Sequence, residues 1–208
     1  MNLTGKKEAL KKFYVPFAYI FFKTKTPPNV ITFFSLLTGT ASALAYYYEN
    51  LLTGLFLLIF SGLFDLIDGT VAREIERPTK FGAVLDWIVD KWIDGLLLGV
   101  IGFIYASPSW AILAITFSML HSFIKPVTYA EIGYESKVKG KITDPLEGVG
   151  FFGRPETHLV LYIFTILEKA NFELGLSFGI KLITILTAMS LIQRVVYLYK
   201  NFGKVLDE

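Results

Sequence analysis

No cysteine occurs in the 208 residues, so disulfides, thiolate metal sites and a cysteine nucleophile are excluded. Histidine is nearly absent, at two residues, and a histidine-rich metal centre is not expected. Charge is sparse as well. Charged side chains make up 18% of the chain and the formal net charge is +2, too little for a nucleic-acid partner. No internal repeat or low-complexity tract is present, and the first 26 residues do not fit the pattern of a cleavable signal peptide. What is plentiful is apolar surface: 53% of residues are hydrophobic and the mean hydropathy is +0.53. That excludes a disordered chain and points away from an ordinary soluble domain. Any metal chemistry falls to carboxylates.

Six long apolar segments lie near 28–48, 51–72, 80–104, 108–132, 154–170 and 175–199. Each is expected to cross a bilayer as a helix. Pro28, Pro108 and Pro155 stand at segment starts, where a missing N–H costs nothing. Pro126, late in the fourth segment, predicts a kink or an end. Ahead of these, Lys6, Lys7, Lys11 and Lys12 precede Phe13, Tyr14, Phe17, Tyr19, Phe21 and Phe22, a pattern suited to a helix lying in the membrane interface. The expected fold is all-α and integral to the membrane, with an interfacial amphipathic segment over 1–26 and a six-span domain over 27–208.

Basic residues give the orientation. The N-terminal lysines, Arg73, Arg77, Lys80, Lys137, Lys139, Lys141, Arg154, Arg194, Lys200 and Lys204 fall to one side. The turns near Glu49, Ser107 and Lys169 fall to the other. Both termini are therefore expected in the cytoplasm, with the chain in the cell membrane.

The stretch from Asp65 to Asp90 carries the chemistry. It reads D-L-I-D-G-T-V-A-R and, eight residues later, G-A-V-L-D-W-I-V-D. Asp65 and Asp68 share one helix face at i,i+3; Asp86 and Asp90 share another at i,i+4. The short basic turn from Arg73 to Lys80 makes the two helices antiparallel neighbours, so all four acids are expected at one depth near the cytoplasmic surface. Four carboxylates cannot all stay ionised in a low dielectric without a counter-charge. Two Mg²⁺ or Mn²⁺ ions meet that need, since oxygen-only ligands suit hard cations. Ions roughly 3.5–4 Å apart would clamp the oxygens of a phosphoryl transfer. Gly69, Ala72 and Gly82 remove bulk beside the acids, and Arg73 adds a cation suited to a diphosphate.

The pattern D-x2-D-G-x2-A-R-x8-G-x3-D-x3-D resembles the signature of the CDP-alcohol phosphotransferases. Asp65, Asp68, Gly69, Ala72, Arg73, Gly82, Asp86 and Asp90 fill its fixed positions. The resemblance implies displacement of CMP from a CDP-linked lipid donor by an alcohol, within a homodimer. It assigns one metal to Asp65, Asp68 and Asp86, and the other to Asp65, Asp86 and Asp90. Asp90 is also the implied base for the acceptor hydroxyl. The CDP site it implies comprises Asn29, Asp65, Asp68, Gly69, Ala72, Arg73 and Gly82.

Three cations bear on the acceptor. Lys125 lies late in the fourth segment, Arg154 opens the fifth, and Arg194 sits in the sixth. A lysine inside an apolar span needs a partner or a polar cavity, and three cations from three helices can converge on one phosphate. The spacing looks like the inositol-phosphate-using branch of the family. It departs from that branch at Thr157 and His158, where a second basic residue is common. Glycerol 3-phosphate or serine remain alternative acceptors. Each cation also has a plainer reading as a cytoplasmic-side anchor. His121 and His158 are expected to serve packing. Two other classes use membrane acids: an aspartate-dependent prenyltransferase and a cation transporter, though the latter tends to hold its acids near the midplane between repeats.

Overall fold

The computed structural model describes residues 7–74, 79–133, 145–146 and 148–203, with side chains from Tyr14 onward except at 73 and 74. Lys6, Arg77, Lys137, Lys139, Lys141 and Lys204 lie outside the described residues, as do the side chains of Lys7, Lys11, Lys12, Phe13 and Arg73. The described chain holds seven α-helices and no strand. They are α1 (Lys7–Lys23), α2 (Pro28–Tyr47), α3 (Leu51–Glu74), α4 (Lys80–Ile101), α5 (Pro108–Glu131), α6 (Arg154–Lys169) and α7 (Leu176–Phe202), with a short π-helical segment, Gly102–Ala106, closing α4.

Small polar residues set the α2–α3 packing. Thr32, Ser35, Gly39, Ser42 and Ala43 line the buried face of α2 at helical spacing. Across it, Ser35 donates to the Ser61 carbonyl at 2.9 Å and Ser61 donates back to the Ser35 carbonyl at 3.0 Å. Ser42 donates to the Gly54 carbonyl at 2.7 Å. Side chains this short let backbones approach closely, the usual device of helix packing in lipid. Gly39 extends the face to α4: a Cβ there would lie 2.6 Å from Cγ1 of Ile93. The main core then runs from Ala43, Tyr46 and Leu58 through Val89, Ile93, Leu97 and Ile101 to Leu161, Leu176, Ile180 and Ile183.

Caps mark the starts. Thr79 accepts the Gly82 N–H at 2.9 Å ahead of α4, and Ser107 accepts from Trp110 N ahead of α5, both N-caps of the usual kind. The third apolar segment ends in the π-helical turn, where Gly102 packs against the Ala111 backbone. Pro126 does not end its helix: α5 runs on to Glu131. Nearby, Thr128 donates to the Ile124 carbonyl at 2.7 Å.

Four helices are long and apolar enough to cross a membrane: Pro28–Tyr47, Leu51–Ala72, Pro108–Glu131 and Leu176–Phe202. The expected six is therefore met in part. α4 carries Asp86, Asp90, Lys91 and Asp94, and α6 is only 16 residues long, about 24 Å against a hydrocarbon core of about 30 Å. Both of these helices bring charge to the site, as does the end of α3 with Asp65. α1 packs on α3, burying Tyr14 and placing Ala18 in a small cluster with Ile31, Ile67 and Val71. It leaves Phe17, Tyr19, Ile20 and Phe22 exposed.

Candidate active site

The site forms where the C-terminal half of α3, the N-terminal half of α4 and the first turn of α6 meet. Asp65 comes from α3, and Asp86 and Asp90 come one turn apart from α4. One carboxylate oxygen from each lies within 4.8 Å of the other two, and all three residues are half-buried. Asp68 is set apart from this trio. It is buried, and its Oδ2 accepts a 2.6 Å hydrogen bond from the Thr32 hydroxyl on α2. It remains within electrostatic reach of Asp65 and Asp86.

Arg154, the first residue of α6, reaches into the acids. Its Nη1 lies 3.1 Å from Asp65 Oδ2 and 2.7 Å from Asp90 Oδ1. Beyond that ion pair, Asp90 Oδ1 has no hydrogen-bond donor among the described residues. Arg154 Nε donates to Asp94 Oδ1 at 3.2 Å. Its Nη2 is buried and has no partner among the described residues. The helix start is favourable here, because the positive end of α6 faces carboxylates. Glu156 holds that end in shape by accepting the Gly153 N–H at 3.0 Å.

Asp94 and Lys91 were not picked out by the motif. Asp94 is buried and takes Lys91 Nζ on Oδ2 at 2.7 Å. His158 Nε2 lies 3.4 Å from Asp94 Oδ1, so this histidine touches the charged network rather than packing alone. The only available signal was register: position 94 continues the helix face of 86 and 90.

The donor set suits hard divalent cations. Every ligand candidate is a carboxylate oxygen. Among the described residues, the cations that meet these acids include Arg154, against Asp65, Asp90 and Asp94, and Lys91, against Asp94. Asp90 Oδ1 is buried and ion-paired with Arg154 Nη1, and a buried carboxylate is stabilised by cationic charge. Asp65, Asp86 and Asp90 would hold one divalent cation.

Of the other candidates, Asn29 and Gly82 are brought together. A Cβ on Gly82 would sit 3.1 Å from Asn29 Oδ1 and 3.0 Å from Thr79 Oγ1. Gly69 and Ala72 are half-buried on α3, the former directly after Asp68. Lys125 is half-buried on α5, and its charge acts on His121 together with those of Arg194 and Lys91. Arg194 is buried. Its Nε donates to the Val149 carbonyl at 3.0 Å and its Nη1 to the His121 carbonyl at 2.6 Å. Ser190 donates to the Phe152 carbonyl and pairs with His121 Nε2, each at 3.0 Å. Arg194, Ser190 and His121 thus tie the segment before Arg154 to α5 and α7.

The described chain is an all-helical bundle with helices long and apolar enough to cross a membrane, and with a carboxylate trio, able to hold a metal ion, that faces a guanidinium. The CDP-alcohol phosphatidyltransferase family model matches residues 25–200, and the chain belongs to that family. A bifunctional IPC transferase and DIPP synthase of Aquifex aeolicus is 31% identical over 87% of this chain and 41% of its own length. A phosphatidylinositol phosphate synthase of Corynebacterium glutamicum is 40% identical over 49% of this chain and 46% of its own. The fold is shared with the crystal structure of Mycobacterium tuberculosis phosphatidylinositol phosphate synthase in complex with manganese and citrate. That match has a TM-score of 0.75 and 24% identity, covering 94% of this chain and 93% of that one. The same synthase has been solved with CDP-DAG bound; that match has a TM-score of 0.74 and 23% identity over 95% of this chain and 98% of that one. The chain spans less than half the length of the first curated relatives it matches. Family membership sets aside the prenyltransferase and cation-transporter alternatives.

Proposed function

We propose that this chain transfers a phosphatidyl- or archaetidyl-type group from a CDP-linked lipid to an alcohol, releasing CMP, and that the alcohol is an inositol phosphate. The observation that carries the reading is the Asp65–Asp86–Asp90 trio facing Arg154 within the family's signature. The acceptor assignment draws on relatives named phosphatidylinositol phosphate synthase and archaetidylinositol phosphate synthase. Two Mg²⁺ or Mn²⁺ ions held by Asp65, Asp68, Asp86 and Asp90 would neutralise charge growing on the diphosphate. A structural neighbour carrying manganese supports that cofactor class.

The chain's own residues do the rest. Asn29, Gly69, Ala72, Arg73 and Gly82 line the CDP head, the small ones letting it approach the backbone. Asp90 takes the proton of the acceptor hydroxyl. The acceptor oxygen bonds to the phosphorus that bears the lipid, the bond from that phosphorus to CMP breaks, and CMP leaves. Arg154 and Lys125 meet the acceptor's phosphate. Arg194 adds charge and holds the 149–153 segment in place.

In this reading α4 and α6 also cross the membrane, giving six spans. α1 lies in the interface, the acids and both termini face the cytoplasm, and two copies associate. The test is CMP release by purified protein with Mg²⁺ and a CDP-lipid, comparing inositol 1-phosphate, glycerol 3-phosphate, serine and free inositol. Release with inositol 1-phosphate alone is expected. Release with another acceptor keeps the reaction and overturns the acceptor. No release with any of them overturns the reading.

A further inference from the structure

We infer that Asp94, a fifth carboxylate one turn beyond Asp90, is a positioning residue that holds Arg154 by its Nε and so determines how tightly a phosphorylated acceptor binds. The inference rests on the reading of Arg154 as the partner of the acceptor's phosphate.

Asp94 is the most enclosed acid of the site, with its side chain 3% exposed against 24% for Asp65 and 23% for Asp90. Both of its oxygens are committed. Oδ2 takes Lys91 Nζ at 2.7 Å, and Oδ1 takes Arg154 Nε at 3.2 Å with His158 Nε2 at 3.4 Å. It stands outside the trio that can share an ion. Its work is therefore on cations of the protein. A guanidinium is a rigid planar fork. Fixing Nε fixes the plane and rotation of the whole fork, and with them where Nη1 and Nη2 lie. Nη1 faces Asp65 and Asp90, while Nη2 is buried with no partner among the described residues. A buried donor left open is costly, so it marks where an anionic oxygen gains most.

The tie is also a polar link between α4 and α6, beside that of Arg154 to Asp90. α6 packs mainly on α3 and α7, yet Arg154 and His158, four residues apart on one face of α6, both reach Asp94. Asp94 thereby sets the angle of the guanidinium relative to Asp90, four residues before it on α4. Lys91, on the other oxygen, satisfies the remaining charge of Asp94 without competing for Arg154.

The test uses the full chain with Mg²⁺, CDP-lipid and inositol 1-phosphate. D94N is expected to raise the acceptor KM about tenfold or more, the scale of a lost charged hydrogen bond, with the CDP-lipid KM unchanged. The double variant D94N/R154K is expected to be no worse than R154K, because Asp94 acts through Arg154. D94E, which keeps the charge, is expected to fall between wild type and D94N. It also serves as the test if D94N fails to fold: an acceptor KM equal to wild type in folded D94E overturns the inference. Donor and acceptor KM rising together, or multiplicative losses in the double variant, overturn it too. Calorimetric binding of inositol 1-phosphate separates this from the reaction itself. If wild type binds that probe without releasing CMP, the proposed reaction fails while weaker binding by D94N still upholds Asp94. If D94N binds it as wild type does, Asp94 has no such role.

Discussion

The Thr32 hydroxyl donates a 2.6 Å hydrogen bond to Oδ2 of Asp68, joining α2 to α3 inside the bundle. One acid of the signature is thus held by a neutral neighbour while the other three converge. Thr32→Val is expected to strip the donor from a buried carboxylate and cost about 1–3 kcal/mol. Thr32→Ser is expected to retain most of it. Thermal unfolding of the two variants side by side checks this, and a Thr32→Val protein as stable as wild type refutes it.

Asp65→Ala and Asp86→Ala remove oxygens from the centre of the trio. Turnover is expected to fall at least about a thousandfold in each, the scale of losing preorganised charge at a reacting phosphate. Helix content by circular dichroism should stay at the wild-type level. Near-normal CMP release from either variant defeats the metal assignment.

Chelation provides an independent check. EDTA is expected to abolish CMP release, and excess Mg²⁺ or Mn²⁺ to restore it. Because a cation bound to the folded form raises its stability by mass action, the melting temperature should rise with Mg²⁺ concentration in wild type. Asp86→Ala should show little of that rise.

Gly39 and Ile93 test the packing that sets the site's floor. A Cβ at position 39 would meet Cγ1, Cδ1 and Cγ2 of Ile93 at 2.6, 2.7 and 2.9 Å, and Ile93 is fully buried. Gly39→Ala is expected to cost about 1–3 kcal/mol through overpacking. Ile93→Ala in the same chain should recover part of that loss, read by denaturation in detergent. Equal stability of Gly39→Ala and wild type would show that α2 and α4 can separate freely.

Much of the site could be read from spacing, because Asp65, Asp86 and Asp90 lie on two helices joined by a short turn. Local rules also located helix starts at Pro28, Pro108 and Arg154. What could not be read depends on distant partners. Asp94 follows Lys91 by three residues, the spacing of an ordinary surface ion pair, and the residue that makes it matter lies 60 positions on. Arg194 reads as one more basic residue near a helix end. Its partners are carbonyls of Val149 and His121, groups present in every residue and visible only once the chain path is known. Of the kink or end expected at Pro126, the end does not occur, since bundle packing can hold a helix through a proline.

Glu168 near the end of α6 accepts the Leu176 N–H at the start of α7 at 2.7 Å, locking the turn between two antiparallel neighbours. α6 brings Arg154, Glu156 and His158 in its first turns, whereas α7 is long and apolar enough to cross a membrane. The turn therefore couples the two ends of α6: Glu168 fixes one to α7, and Arg154 fixes the other to acids of α3 and α4.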